Sequence, residues 1–185
     1  MSENLQTKQA VATDAAALGR LHGKVWLETY RGLLPDAALT AISAGRRTEM
    51  WRRFLKAPER GGSERAYLLL DEGNLIGFAS CGPQRQPALA GMGYSGELYA
   101  VYILKAFHGR SGGRFLCRAS AADLVSRGHD RASVSTLSTN LAARRFFERL
   151  QATELDLREP PVFWNIAQTV LGWDAPRLRQ LAGMK

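Results

Sequence analysis

The sequence predicts a mixed α/β sheet with helices packed on it, in one domain. Three observations carry this reading. The first part of the chain has helical apolar spacing, the apolar period then shortens to two, and strand-like and helix-like segments alternate from Gly96 onward. Helices first, then strands alternating with helices, is the order of a mixed sheet. A length of 185 residues allows one domain with a sizeable core, because domains commonly run to about 100–200 residues.

Taken in order, a short apolar stretch near "QAVAT" leads to Thr13 or Asp14, either of which can cap a helix. Leu18, Leu21, Val25 and Tyr30 follow at helical spacing. "GLLPD" breaks that helix, and Pro35 suits the first turn of a second. "RRTEMWRRFL" reads as another amphipathic helix. "RAYLLLD", the turn "DEGN" and "LIGFASCG" then read as a β-hairpin. "PQRQPALAGMGY" is the most loop-like stretch. "SGELYAVYIL" is a strand, followed by a glycine-bearing loop and a helix that stops near Arg127-Gly128. "RASVSTLS" alternates as a strand does. After Asn140, the residues Ala143, Phe146, Phe147 and Leu150 form an apolar helical stripe. "ELDLRE" and "VFWNIAQTVLGW" close the chain as strands, with Pro160-Pro161 between them. There is no internal repeat and no linker.

A hydrophobic fraction of 45% with 23% charged residues is ordinary for a soluble globular protein. No apolar run approaches the ~18 residues that cross a bilayer, so no membrane partner is expected. The polar start "MSENLQTKQAVATD" lacks a secretory h-region. Cys81 and Cys117 form no CxxC and have no histidine at ligand spacing, so neither a disulfide framework nor a metal site is expected. A cytoplasmic location is the natural expectation.

The net charge is +8, and between Arg110 and Arg149 eight arginines face three acids. That bias surrounds the glycine loop without forming a basic run. It favours a polyanionic small ligand over nucleic acid, since no aromatic-studded strand of RNA-binding type is present.

The loop lies in "AFHGRSGGRFL", Ala106 to Leu116. Between a strand and a helix N-terminus, such a loop turns unpaired amides and the positive end of the helix dipole toward an anion. Strand "GELYAVYIL", loop "HGRSGG", helix, strand and then "NLAARRFFERL" together resemble the GNAT family of acetyl-CoA-dependent N-acetyltransferases. The resemblance spans about residues 8–174. It implies a single domain over 1–185 with a mixed, mostly antiparallel central sheet flanked by helices.

In that family the loop reads Q/R-x-x-G-x-G/A and binds the pyrophosphate of coenzyme A. By position, the resemblance assigns this role to His108, Gly109, Arg110, Ser111, Gly112 and Gly113, with Arg114 starting the helix. His108 stands where Gln or Arg is usual, and Ser111 where glycine is usual. If that position takes a positive φ, serine costs about 1–2 kcal/mol. Val101, Tyr102 and Ile103 match the segment that pairs its backbone with the pantetheine arm, a form of strand addition. Asn140 matches an Asn near the cofactor arm, and an N-cap role explains it equally well.

The resemblance implies acetyl transfer from acetyl-CoA to a primary amine by direct attack, with no metal. An alkylamine of pKa near ~10.4 is mostly protonated at neutral pH, so a base is useful. Glu97 matches a base position, and a surface carboxylate paired with an arginine is its plain alternative. The usual acid is a Tyr seven residues after the Asn. That position is Phe147, which also fits the apolar stripe. Tyr99, Tyr102, Tyr30 or a water would substitute. Trp26, Glu28, Tyr30 and Asp36 are candidates for the acceptor site. The rival reading is a non-catalytic CoA-binding or regulatory module of the same fold. Homodimerisation is common in the family and no residue here decides it.

Overall fold

The computed structural model describes residues 4–40, 44–56, 62–157 and 162–184. The chain runs β1 (Leu5–Gln9), a 3-10 turn (Ala12–Asp14), α1 (Ala15–Tyr30), α2 (Asp36–Thr40), α3 (Ala44–Lys56), β2 (Arg65–Asp71) and β3 (Asn74–Pro83). It continues with α4 (Pro87–Gly91), β4 (Gly96–Ile103), a 3-10 turn (Lys105–Phe107), α5 (Gly112–Ser126), β5 (Ala132–Leu137) and α6 (Leu141–Arg149). β6 (Thr153–Glu154), β7 (Val162–Phe163), β8 (Ile166–Trp173) and α7 (Ala175–Ala182) complete it.

The sheet order is β1-β2-β3-β4-β5-β8-β6, with β7 paired to β8. Among the described strands only β4 and β5 run parallel, and the other strand pairings are antiparallel. α1 starts where Asp14 accepts a hydrogen bond from the Val11 amide (2.9 Å) and turns the chain. Leu18, Leu21 and Val25 repeat at helical spacing and are buried with Trp51 of α3 and Phe78 of β3. Each such side chain contributes about 1.5–3 kcal/mol on leaving water. On the other face, α5 and α7 bury Leu116, Cys117, Leu124 and Leu178. α5 ends as its sequence indicates, with Gly128 at φ 85 accepting the left-handed turn.

Five local departures from the sequence reading have physical causes. β1 is a strand with one half-buried and four exposed residues, so it leaves no apolar alternation to detect. The loop-like "PQRQPALAGMGY" contains α4, begun by Pro87 at its first turn. "ELDLRE" pairs only through Thr153 and Glu154, and Pro160-Pro161 lie outside the described residues. "VFWNIAQTVLGW" is two strands, because Trp164 and Asn165 at φ 51 and 60 reverse the chain in a tight hairpin. α7 lies past the end of the expected core. It is capped by Asp174, whose carboxylate accepts from the Arg177 amide (3.0 Å).

Among the described residues, no helix is long and apolar enough to cross a membrane.

Candidate active site

The site begins where the sheet opens. β4 and β5 pair only through Gly96–Ala132, Glu97–Ser133 and Leu98–Val134. Just beyond, β4 carries a bulge: Ser80 faces Ala100 and Cys81 faces Leu98, so Tyr99 is the extra residue. A bulge bends its strand and increases its twist, and β4 leaves β5 from there on. A cleft of about 520 Å³ fills the gap. Its walls come from β4 and β5, from His22, Trp26 and Tyr30 of α1, and from Met50, Trp51 and Phe54 of α3. Asn140 and Phe147 of α6 close one side.

The glycine loop follows β4 after the 3-10 turn Lys105–Phe107. Ser111 is the N-cap of α5 at φ 61, ψ −5, and no side chain caps the helix. The Arg114 amide donates to the Ser111 carbonyl (2.9 Å), so the Gly112 and Gly113 amides are the uncapped donors of the first turn. The positive φ also means that serine carries the left-handed strain, about 1–2 kcal/mol, in the folded protein itself. Gly112 has a steric reason. A Cβ there would stand 2.5 Å from Leu69 Cδ2 and 3.2 Å from Ile103 Cδ1, so the helix start sits hard against β2 and β4.

The loop's side chains anchor it. Arg110 donates to both carboxylate oxygens of Asp71 (3.0 and 3.4 Å) and lies over the Phe107 ring. The His108 ring meets the Ile103 carbonyl at 2.9 Å. A carbonyl only accepts, so Nε2 carries the proton. Arg114 is exposed on the first turn of α5. Val101 and Tyr102 of β4 stand in the cleft wall, whereas Ile103 and the loop residues lie outside the cleft lining.

Glu97 is not a surface carboxylate; it is 3% exposed in the cleft wall. Arg85 holds it from three atoms: Nη2 donates to Oε1 (2.6 Å), while Nε (3.1 Å) and the backbone amide (3.0 Å) donate to Oε2. A carboxylate has about four lone-pair sites, so a partner can still be accepted. The Arg85 guanidinium stacks on the Tyr99 ring at 4.0 Å.

Asn140 does cap α6, its Oδ1 accepting from the Ala143 amide (3.1 Å), and it also faces the cleft. Its carboxamide N–H groups take no part in the cap. Phe147 is 6% exposed, packed edge-to-face on Trp173 at 6.0 Å.

The tyrosines divide. Tyr99 donates its hydroxyl to the Pro83 carbonyl (2.8 Å). Tyr30 and Tyr102 bond to each other, oxygen to oxygen, at 2.9 Å in the cleft. Burial first, then Tyr30, raises the Tyr102 phenol well above its ordinary value, and burial raises Tyr30 too. Both keep their protons at neutral pH.

Of the acceptor candidates, Trp26 and Tyr30 line the cleft and Glu28 and Asp36 lie outside it. Two residues beyond Trp26, Glu28 is turned to the opposite side of α1, where Oε2 accepts from the Lys105 amide (2.9 Å). Asp36 is exposed at the start of α2. Sequence reasoning passed over His22, Arg47, Trp51 and Arg85. The spacing of His22, Trp26 and Tyr30 is a helical repeat that a search for aliphatic residues misses. Arg85 reaches Glu97 through a loop, without any local periodicity.

His22 sits among Trp26, Trp51, Phe78 and Tyr102. Burial first and the Arg47 charge second push its pKa down to about 3, so the ring is neutral at physiological pH. Among the described residues no three His, Cys, Asp or Glu side chains gather to hold a metal ion.

The arrangement of splayed strands, bulge and uncapped helix defines a recognisable class. A family model described as the acetyltransferase (GNAT) family matches residues 24–152, and the chain belongs to that family. It is 29% identical over 135 residues, 72% of each chain, to YuaI of Bacillus subtilis strain 168, described as an uncharacterized N-acetyltransferase. The PaiA N-acetyltransferase of Thermoplasma acidophilum, solved with coenzyme A, matches at TM-score 0.76 and 12% identity, over 92% of this chain and 99% of that one. The yncA structure from Salmonella typhimurium, which holds acetyl-CoA, matches at TM-score 0.67 and 19% identity, over 92% and 94%. These solved structures share the mixed, mostly antiparallel sheet flanked by helices.

Proposed function

We propose that the protein transfers the acetyl group of acetyl-CoA to a primary amine by direct attack. The observation that carries this reading is the junction of an open β4 edge with an uncapped α5 N-terminus. The loop His108 to Gly113 would hold the pyrophosphate through its amides from Gly109 to Gly113, the His108 amide being bonded to the Lys105 carbonyl (3.2 Å), and the Val101–Ile103 backbone would pair with the pantetheine arm. When bound, acetyl-CoA supplies the thioester carbonyl that the amine attacks.

The chain's own residues do the rest. Glu97 accepts the amine proton, directly or through water, with Arg85 fixing its orientation. The Tyr30–Tyr102 pair takes the donor role that Phe147 cannot fill, and delivers a proton toward the departing thiolate. A thiolate of pKa near ~8.5 leaves tolerably without help, so positioning, worth about 7–11 kcal/mol, outweighs the acid.

Calorimetric titration with acetyl-CoA, and with desulfo-CoA as unreactive control, tests the cofactor site. Micromolar binding of both is expected; absence of both removes the reading. The hydrocarbon Phe147 in place of a Tyr favours one rival, a CoA-binding module without turnover. Binding without CoA release over a broad amine panel would establish that rival instead.

A further inference from the structure

The charges around the cleft indicate what the acceptor carries besides its amine, an inference that rests on the acetyl-transfer reading. Among the described residues lining the cleft only Arg85 and Glu97 are charged, and they neutralise each other. A third charge stands behind the aromatic wall. Arg47 is only 2% exposed, yet among the described residues no carboxylate pairs with it. Its guanidinium lies 4.8 Å from the centre of the Trp26 ring. Both His22 and Tyr102 of the cleft wall feel its charge: it adds to the fall that burial imposes on the His22 pKa, and it opposes the rise that burial imposes on Tyr102.

Helical spacing explains the direction it takes. Arg47, Met50, Trp51 and Phe54 recur at i, i+3, i+4 and i+7, one face of α3, and the last three line the cleft. A buried cation without an anion is destabilising, and a ligand that brings the anion relieves it.

The neighbouring polar atoms ask for the same thing. Trp26 Nε1 and Trp51 Nε1 are buried without an acceptor, and an indole nitrogen can only donate. Their rings lie 6.3 and 5.9 Å from the His22 ring. Two indole donors and one guanidinium thus lie around His22, whose own Nδ1 is also buried without a partner, a corner where donor hydrogens outnumber acceptors.

We propose that the acceptor is an amine of amino-acid type, whose carboxylate is drawn to the corner of Arg47, Trp26 and Trp51 while its amine meets Glu97. A polycationic acceptor is disfavoured, since among the described residues the cleft and its wall carry a surplus positive charge. The acids that would have met such a molecule, Glu28 and Asp36, lie outside. The aromatic walls suit an apolar side chain on the same amino acid.

The test compares phenylalanine, leucine and tyrosine, each against its own carboxamide, by CoA release at saturating acetyl-CoA. The amide has the less basic amine, with more of it neutral, so bare reactivity favours the amide. A preference for the free acid therefore reports binding of the carboxylate. We expect kcat/KM for the acid to exceed that for the amide by about tenfold or more. Arg47→Met should bring the ratio toward one by raising KM for the acid, with the Kd for acetyl-CoA unchanged as the check on folding. If Arg47→Met does not fold, the wild-type acid-to-amide ratio decides. A panel in which no acid outpaces its amide overturns the proposal, as does a preference that survives in Arg47→Met. Loss of acetyl-CoA binding in the wild type would instead strike the acetyl-transfer reading itself.

Discussion

The phenol oxygens of Tyr30 and Tyr102 lie 2.9 Å apart and tie α1 to β4 across the wall of the cleft. One hydroxyl must donate to the other, which leaves the second proton free for a third group. Tyr102→Phe removes the partner on the strand. We expect kcat to fall by about 10²-fold or more, in the range of general acid catalysis, with little change in the Kd for acetyl-CoA. Unaltered kcat would take the pair out of the chemistry.

Glu97→Gln keeps the shape of the carboxyl group and removes its basicity. The expected result is a drop in kcat of about 10²–10⁴. Arg85 would also lose its charged partner, but its side chain is 60% exposed and water can solvate it, so the loss of stability should stay at about 1 kcal/mol. Thermal melting should accompany the kinetics. A variant with wild-type rates would leave Glu97 a structural anchor for Arg85 alone.

Ser111 already stands in the left-handed region at φ 61, so its strain is borne before any ligand arrives. Ser111→Gly is expected to raise stability by up to ~1 kcal/mol, the strain relief being offset in part by glycine's greater unfolded freedom. Binding of acetyl-CoA should change little. A marked fall in Kd would mean that the free loop departs from this geometry.

Phe147→Tyr restores the hydroxyl that the family resemblance expects. We expect kcat to rise. Stability should fall by about 1–3 kcal/mol if the new hydroxyl finds no partner beside Trp173. A lower kcat with melting unchanged would show that the apolar contact, rather than proton supply, governs the rate.

His22 links acidity to stability. Its pKa is about 3 in the folded chain against 6.5 ordinarily, so the unfolded chain takes up the proton first as pH falls. The stabilisation is complete above about pH 6.5 and declines toward pH 3, by at most about 1.4 kcal/mol per pH unit. Urea melts at pH 7 and pH 5 should differ less for His22→Phe than for the wild type. Equal pH dependence in both would place the acid sensitivity elsewhere.

Much of the fold was legible because its signals are local. The β2–β3 hairpin, the α5 stop at Gly128 and the apolar stripe from Ala143 to Leu150 each announce themselves within a few residues. The glycine loop before α5 was legible for the same reason. β1 was not, because a mostly exposed edge strand has no reason to alternate. The hairpin at Trp164-Asn165 was hidden because neither residue is a glycine. Of the proposed acceptor residues, Trp26 and Tyr30 line the cleft, while Glu28 was chosen for its charge and not for its angle around α1, which turns it away. Arg85 and Arg47 reach the cleft wall only through tertiary packing, which no spacing along the chain reveals.

The three rungs that join β4 to β5 have a mechanical consequence. The sheet is two panels, β1 to β4 and β5 to β8, riveted along one short seam and open along the rest. A ligand arm lying against the free edge of β4 would act as an inserted strand and carry load between the panels. Hydrogen exchange would read this directly: amides on the open edge beyond Leu98 should exchange early in the free protein and late in the loaded one. The slowing would extend into β5, which gains a neighbour without changing its own contacts.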